Sequence, residues 1–240
     1  MNGFRIGGHL DPARVAPVFR GAGRLHVPDF LDAPAAGALH AALTDATPWR
    51  CSRLLGDKPF TLTSADWDAL PATRRAEMEA AMREQARSGF HYAFDTWPVS
   101  DEVEAGRRTG HPAETFYDFL NGPAFLDWIR ATTGDPRAAY CDAQCTRYRP
   151  GDYLNAHTDE AEGKNRLFAY VMNLTPGWSV DWGGLLQFID RDGHVAEAYT
   201  PAFNALNIFK VPQPHSVSVV APFAGGDRLA ITGWVRSRRD

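Results

Sequence analysis

The sequence predicts an α+β fold in which a β-barrel core is backed by helices, and three features of its 240 residues carry that expectation. Helix-forming stretches fall in the first half. From Tyr140 onward the chain is a series of short β-like runs punctuated by Gly, Pro, Asn and Asp, the pattern of a barrel or sandwich. No helix-length segment interrupts those runs, so the crossovers of a doubly wound parallel sheet have nothing to form them.

The elements follow in order. Residues 24–30 are a short apolar piece suited to an early strand. Asp32 stands where an N-cap would, ahead of an Ala- and Leu-rich run over 33–43. Ser64 is placed to cap a segment whose best helical stretch is 72–86, ATRRAEMEAAMREQA, rich in strong helix formers. A third helical region spans 114–133 with a break at Asn121-Gly122-Pro123, and Gly134 sits where a left-handed glycine ends a helix. The strands expected beyond it are 144–148, 153–157, 166–173, 185–190, 205–209, 216–220 and 228–235. Turns at Pro150-Gly151-Asp152, Pro176-Gly177, Gly183-Gly184, Asp192-Gly193 and Gly225-Gly226-Asp227 separate them. With no repeat and no linker, a single domain is expected: 1–139 mainly helical support, 140–236 the β core.

Composition excludes several classes. Apolar residues are 44% and charged residues 22%, a soluble globular balance. A net charge of −4 gives no field that favours nucleic acid or an anionic membrane, and neither is expected as a partner. Cys51, Cys141 and Cys145 have no paired spacing, which suits a reducing compartment rather than a disulfide framework. The first residues lack a signal-peptide pattern, and no segment approaches the roughly 18–20 apolar residues of a membrane helix. The expected location is cytoplasmic. Oligomeric state is not written in the sequence.

Chemistry concentrates at His157-Thr158-Asp159. Side chains two apart on a strand share a face, so an imidazole and a carboxylate there can grip one cation. Of the remaining histidines, His215 is the best third ligand, since it opens a strand directly after the stiff segment Val211-Pro212-Gln213-Pro214. Two histidines and a carboxylate form the facial triad of non-haem Fe(II) oxygenases. A polar turn at a strand end explains an isolated H-x-D equally well; the ordered companions favour the metal reading. Arg228 begins the alternating run Arg228-Leu-Ala-Ile-Thr-Gly-Trp234, which places Arg228, Ala230, Thr232 and Trp234 on one face. A guanidinium inside a barrel requires an anion, either a bound carboxylate or an acid of the chain itself. Tyr148 and Tyr170 can each direct a hydroxyl at such a carboxylate or simply pack in the barrel wall.

The ordered set, Tyr148-Arg-Pro-Gly-Asp-Tyr-Leu-Asn-Ala-His157-Thr-Asp159, Tyr170-Val-Met-Asn173, Gly183-Gly184-Leu-Leu-Gln-Phe188, His215 and Arg228-Leu-Ala-Ile-Thr-Gly-Trp234, resembles the 2-oxoglutarate- and iron(II)-dependent dioxygenases. Within them it looks like the prolyl 4-hydroxylase-like branch. The resemblance covers 140–236 and implies a double-stranded β-helix, or jelly roll. It implies Fe(II) held by His157, Asp159 and His215, with 2-oxoglutarate chelating that metal and its far carboxylate meeting Arg228. Tyr148 and Tyr170 then match tyrosines that hydrogen-bond the cosubstrate, and Thr232 is a lesser member of that pocket. The interval from His215 to Arg228 is longer than is usual in the branch, with the extra residues in a turn over 221–226.

In that family O2 is the second cosubstrate, ascorbate serves as a reductant, and the products are succinate, CO2 and a hydroxylated C–H bond. Related halogenases lack the carboxylate ligand, so Asp159 marks a hydroxylase. The branch implies a prolyl residue of a peptide or protein as substrate; a free amino acid or small metabolite is the alternative. The loops 160–165 and 175–182, the second carrying Trp178 and Trp182, are placed to shape access. A non-catalytic metal-binding β-barrel and a zinc hydrolase are the readings from other classes. The zinc reading leaves Arg228 and the tyrosines without a role. Cys141 and Cys145 lack C-x-x-C spacing and are expected as buried thiols.

Overall fold

The computed structural model describes residues 3–56 and 58–238. Helix α1 (Pro12–Ala22) starts at Asp11, whose carboxylate accepts the Ala13 N–H, and stops at Gly23 in the left-handed conformation. There follow β1 (Arg24–Val27), α2 (Ala33–Asp45), β2 (Arg50–Leu55), β3 (Lys58–Thr63), α3 (Ser64–Asp68), α4 (Ala72–Ala86), β4 (Tyr92–Trp97), α5 (Val99–Glu104), α6 (Pro112–Leu120) and α7 (Pro123–Thr133). The second half holds β5 (Tyr140–Cys141), β6 (Gln144–Tyr148), β7 (Tyr153–His157), β8 (Arg166–Asn173), β9 (Leu186–Ile189), β10 (Val195–Tyr199), β11 (Ala205–Lys210), β12 (His215–Val217) and β13 (Arg228–Arg236).

The thirteen strands among the described residues join one antiparallel sheet, ordered β1-β11-β8-β13-β6-β4-β7-β12-β9-β10, with β2 and β3 added beside β4 and β5 beside β13. The sheet curls into a nearly closed, jelly-roll-like barrel. Side chains join its two ends: Arg24 on β1 pairs with Glu197 on β10, and the His26 ring lies 5.4 Å from Tyr199.

Strand alternation sorts the side chains into two layers. On β8, Phe168, Tyr170 and Met172 join the core beneath the helices, while Ala169 and Val171 face the barrel interior. On β13, Leu229, Ile231 and Val235 face the helices and Ala230 faces inward. The helices answer with Phe19, which meets Phe168 edge-on at 5.5 Å, and with Phe116, Phe125 and Ile129. Each such large side chain contributes roughly 1.5–3 kcal/mol on full burial. This layer holds the outer face of β8 and β13 rigid, so the inner face can carry polar groups.

Several local expectations shift. Thr63, not Ser64, is the N-cap of α3: its hydroxyl accepts the Asp66 N–H at 3.0 Å. Asp32 occupies the N-cap position of α2 without a side-chain hydrogen bond, and Pro71 precedes α4. The third helical region divides at Asn121-Gly122 into α6 and α7, and Gly134 ends α7 at φ 74°. The first half supplies four strands as well as helices, and β4 stands inside the barrel wall between β6 and β7. Its signal is the alternation Phe90, Tyr92, Phe94. A buried charge cluster fixes β4 in place: Asp95, 0% exposed, accepts from Arg147 at 2.6 Å, Arg149 at 3.0 Å and Arg53 at 3.4 Å. Among the described residues no helix is long and apolar enough to cross a membrane.

Candidate active site

β7 and β12 are antiparallel neighbours in which His157 and His215 are register partners, and their rings lie 4.1 Å apart. β7 ends at His157, so Asp159 is not on the strand. It returns to the histidines through a left-handed turn, at φ 61°. Its two carboxylate oxygens lie 3.2 Å from His157 Nε2 and 3.3 Å from His215 Nε2. Among the described residues these three make the group able to hold a metal ion, one ligand atom from each lying within 4.8 Å of the others.

The donor set fits a divalent cation. His157 Nδ1 lies 2.9 Å from the Asn155 carbonyl and His215 Nδ1 2.8 Å from the Gln213 carbonyl. Each Nδ1–H is thereby donated to backbone, which directs both Nε2 atoms at Asp159. Burial opposes ionisation of Asp159, but hydrogen bonds from His157 and His215 outweigh it and hold the carboxyl well below the usual carboxylate range.

The triad lies on the wall of a cavity of about 600 Å³ that opens to solvent. Tyr148 and Arg228, register partners on β6 and β13, line the same cavity. Arg228 is 2% exposed, and its guanidinium lies 5.0 Å from the centre of the Tyr148 ring. Tyr148 stacks in turn on Phe94 at 4.8 Å. A side chain at position 184 would place its Cβ 3.1 Å from Arg228 Cδ, so Gly184 gives the arginine its room. No described acid pairs with Arg228, its Nε is buried without a hydrogen-bond partner, and burial pulls its pKa below the ordinary arginine value. Burial pushes the Tyr148 phenol upward, which keeps it a hydrogen-bond donor. Thr232 also borders the cavity.

Tyr170 borders the same cavity, but its hydroxyl is engaged elsewhere. It packs with the helix layer, 6.3 Å from Phe125, and its hydroxyl donates to the Asp142 carbonyl at 2.7 Å. Gly233, its register partner, has no side chain, and a Cβ there would meet the Asp142 oxygen at 2.1 Å. The absent side chain lets that carbonyl reach Tyr170. The hydroxyl is thus bonded to backbone, while the residue still borders the cavity.

The two loop tryptophans are tucked in as well. Trp178 and Trp182 meet edge-on at 5.3 Å, and Trp178 Nε1 donates to the Gly183 carbonyl at 2.9 Å. Of the loop 160–165, Glu160 reaches the cavity. The aromatic wall comes instead from Phe90 and Tyr92, which carry no motif in the sequence. Phe90 is 51% exposed and its ring lies 5.7 Å from that of His157.

A jelly roll with a two-histidine, one-carboxylate cluster beside a buried arginine defines the class, and comparison agrees. Residues 143–236 match the 2OG-Fe(II) oxygenase superfamily. Prolyl 3-hydroxylase OGFOD1 of Mus musculus is 26% identical over 98% of this chain and 43% of its own length. Its counterpart in Xenopus laevis is 33% identical over 46% of this chain and 22% of its own length. The chain thus spans less than half the length of these curated relatives. Among solved structures, a Pseudomonas putida prolyl-4-hydroxylase superposes with TM-score 0.60 at 19% identity, covering 95% of this chain and 99% of that one. A Trichoplax adhaerens prolyl hydroxylase, solved with a peptide fragment of hypoxia inducible factor, gives TM-score 0.60 at 17% identity over 94% and 89%. At these identities the structural likeness speaks for the fold.

Proposed function

We propose that the chain is a 2-oxoglutarate- and Fe(II)-dependent dioxygenase that hydroxylates a prolyl residue of a peptide or protein, releasing succinate and CO2. His157, Asp159 and His215 would hold the iron, which when bound supplies the oxidising power that activates O2 toward a C–H bond. The observation that carries the reading is Arg228. A fully enclosed guanidinium with no acid beside it is costly, and a dicarboxylate entering the cavity would relieve that cost. Tyr148 keeps its proton and can donate to the same carboxylate. Phe90 and Tyr92 offer the cavity mouth an apolar wall suited to a pyrrolidine ring. A peptide substrate is supported by the prolyl hydroxylase relatives and by the peptide bound to the Trichoplax protein. We read 1–240 as one dioxygenase domain, and three free, buried cysteines support a cytoplasmic location.

Uncoupled turnover tests the proposal. Protein reconstituted anaerobically with Fe(II), ascorbate and 2-oxoglutarate is exposed to air and succinate is followed. O2-dependent succinate that is lost in His157→Ala and Arg228→Ala supports the reading. Metal-loaded, folded protein that neither turns over nor binds 2-oxoglutarate overturns it in favour of a non-catalytic barrel.

A further inference from the structure

We propose that Arg166 is a positioning residue for Asp159: it clamps the left-handed turn that carries the carboxylate back to the two histidines. The inference rests on the reading of His157, Asp159 and His215 as metal ligands.

Unlike the histidines, Asp159 is not aimed by strand pairing. His157 and His215 are fixed by the register of β7 and β12, whereas Asp159 lies beyond the strand end at φ 61°, a conformation that residues with side chains disfavour. The polar loop 160–165 follows it, held at its far end where the Ser237 N–H donates to the Asn165 carbonyl at 3.1 Å. Within it Lys164 N–H donates to the Ala161 carbonyl at 3.2 Å and the Asn165 side chain to the Gly163 carbonyl at 3.0 Å, both internal to the loop.

Arg166, the first residue of β8, closes this loop. Its Nη1 donates to the Asp159 carbonyl at 2.8 Å. The same guanidinium lies on the Trp234 ring, 3.5 Å from its centroid. Trp234 belongs to β13, hydrogen-bonded to β8 along its length, and its backbone N–H donates to Asp142 Oδ1 at 2.7 Å. The barrel frame therefore reaches Asp159 through one planar side chain that stacks on one face and donates at its edge. Lysine can donate but cannot stack flat, so the geometry calls for arginine. With the carbonyl held, the turn has one orientation, and the carboxylate meets both Nε2 atoms at the 3.2 and 3.3 Å observed. Groups that orient a ligand without touching the metal typically alter affinity about 10–100-fold.

The test uses the full chain and Co(II) alone as probe, read by its d–d absorption and by titration, for wild type, Arg166→Lys, Arg166→Met and His157→Ala. Thermal melts without metal identify which variants are folded; Arg166→Met retains the aliphatic stem and Arg166→Lys the charge. The expected result is Co(II) affinity reduced about tenfold or more in Arg166→Met with an altered d–d band, and a smaller loss in Arg166→Lys. Folded Arg166→Met that binds Co(II) within about twofold of wild type, with an unchanged band, overturns the positioning role while leaving the metal reading intact. Wild type that binds Co(II) no better than His157→Ala overturns the metal reading, and this inference with it.

Discussion

Arg228 and Tyr148 face each other across β13 and β6 as register partners, the guanidinium 5.0 Å from the phenol ring centre, and no described acid pairs with the guanidinium. On the proposed function, the pair would receive an anion the protein does not itself supply. Arg228→Met, which keeps the stem and removes the charge, is expected to raise the melting temperature of the ligand-free protein, because a buried unpaired charge is costly. The same variant should lose the stabilisation that added 2-oxoglutarate gives wild type. A melt with and without the cosubstrate reads both. A drop in ligand-free stability would show that the arginine already has an internal partner.

Tyr170 makes the contrasting prediction. Its hydroxyl serves the Asp142 carbonyl, so Tyr170→Phe should leave 2-oxoglutarate affinity unchanged and cost about 0.5–1.5 kcal/mol in urea unfolding. Tyr148→Phe should behave the other way, weakening the cosubstrate with little change in stability. Affinity that falls in Tyr170→Phe would show that this hydroxyl acts on the cosubstrate.

These two tyrosines show what the sequence could carry. The strands 144–148, 153–157 and 166–173 and the order of His157, Asp159, His215 and Arg228 were legible because turn residues bracket each run and the spacing is local. Which face of β8 looks inward was not. That parity depends on packing against α7 and on Gly233 admitting the Asp142 carbonyl, and both are contacts across the fold. β4 was hidden for another reason. It follows the helix-rich segment 72–86, and its hold on the barrel comes from Asp95 meeting arginines 42, 52 and 54 residues away. Asp159 was read as strand because H-x-D fits period two, whereas its left-handed backbone appears only in three dimensions.

The charge cluster behind the cavity should leave a pH signature of mixed sign. Burial opposes ionisation of Asp95, but Arg53, Arg149 and Arg147 outweigh it and its pKa is lowered. A lowered carboxyl stabilises the fold above its unfolded value, about 4, and that contribution is lost as pH falls through the folded value. Asp95→Asn should cost about 3–5 kcal/mol near neutrality, since buried guanidinium groups lose their anion, and the difference should shrink in acid. Asp152 has the opposite sign. Burial pushes its carboxyl up to about 7 despite Arg53, so its stabilisation is present below about pH 4 and is lost as pH rises to 7. Asp152→Asn should therefore gain on wild type across that window and hold a constant difference above it. Chemical denaturation at stepped pH separates the two.

Asp159 allows the backbone and the carboxylate to be tested apart. At φ 61° a residue with a Cβ is strained by roughly 1–2 kcal/mol, and glycine is not. Asp159→Ala and Asp159→Gly both remove the carboxylate, so both should fail to bind Co(II). Both also lose the hydrogen bonds from His157 and His215 that hold the aspartate ionised, so both should be less stable than wild type without metal. They should differ from each other by about 1 kcal/mol in favour of glycine, the part of the strain that the loop does not relax. The clamp adds a further expectation. If Arg166 holds the turn against that strain, Arg166→Met should cost more stability in the Asp159→Ala background than in Asp159→Gly, where the left-handed turn is intrinsically acceptable. Equal costs in the two backgrounds would mean that the hydrogen bond to the Asp159 carbonyl follows the turn rather than enforcing it.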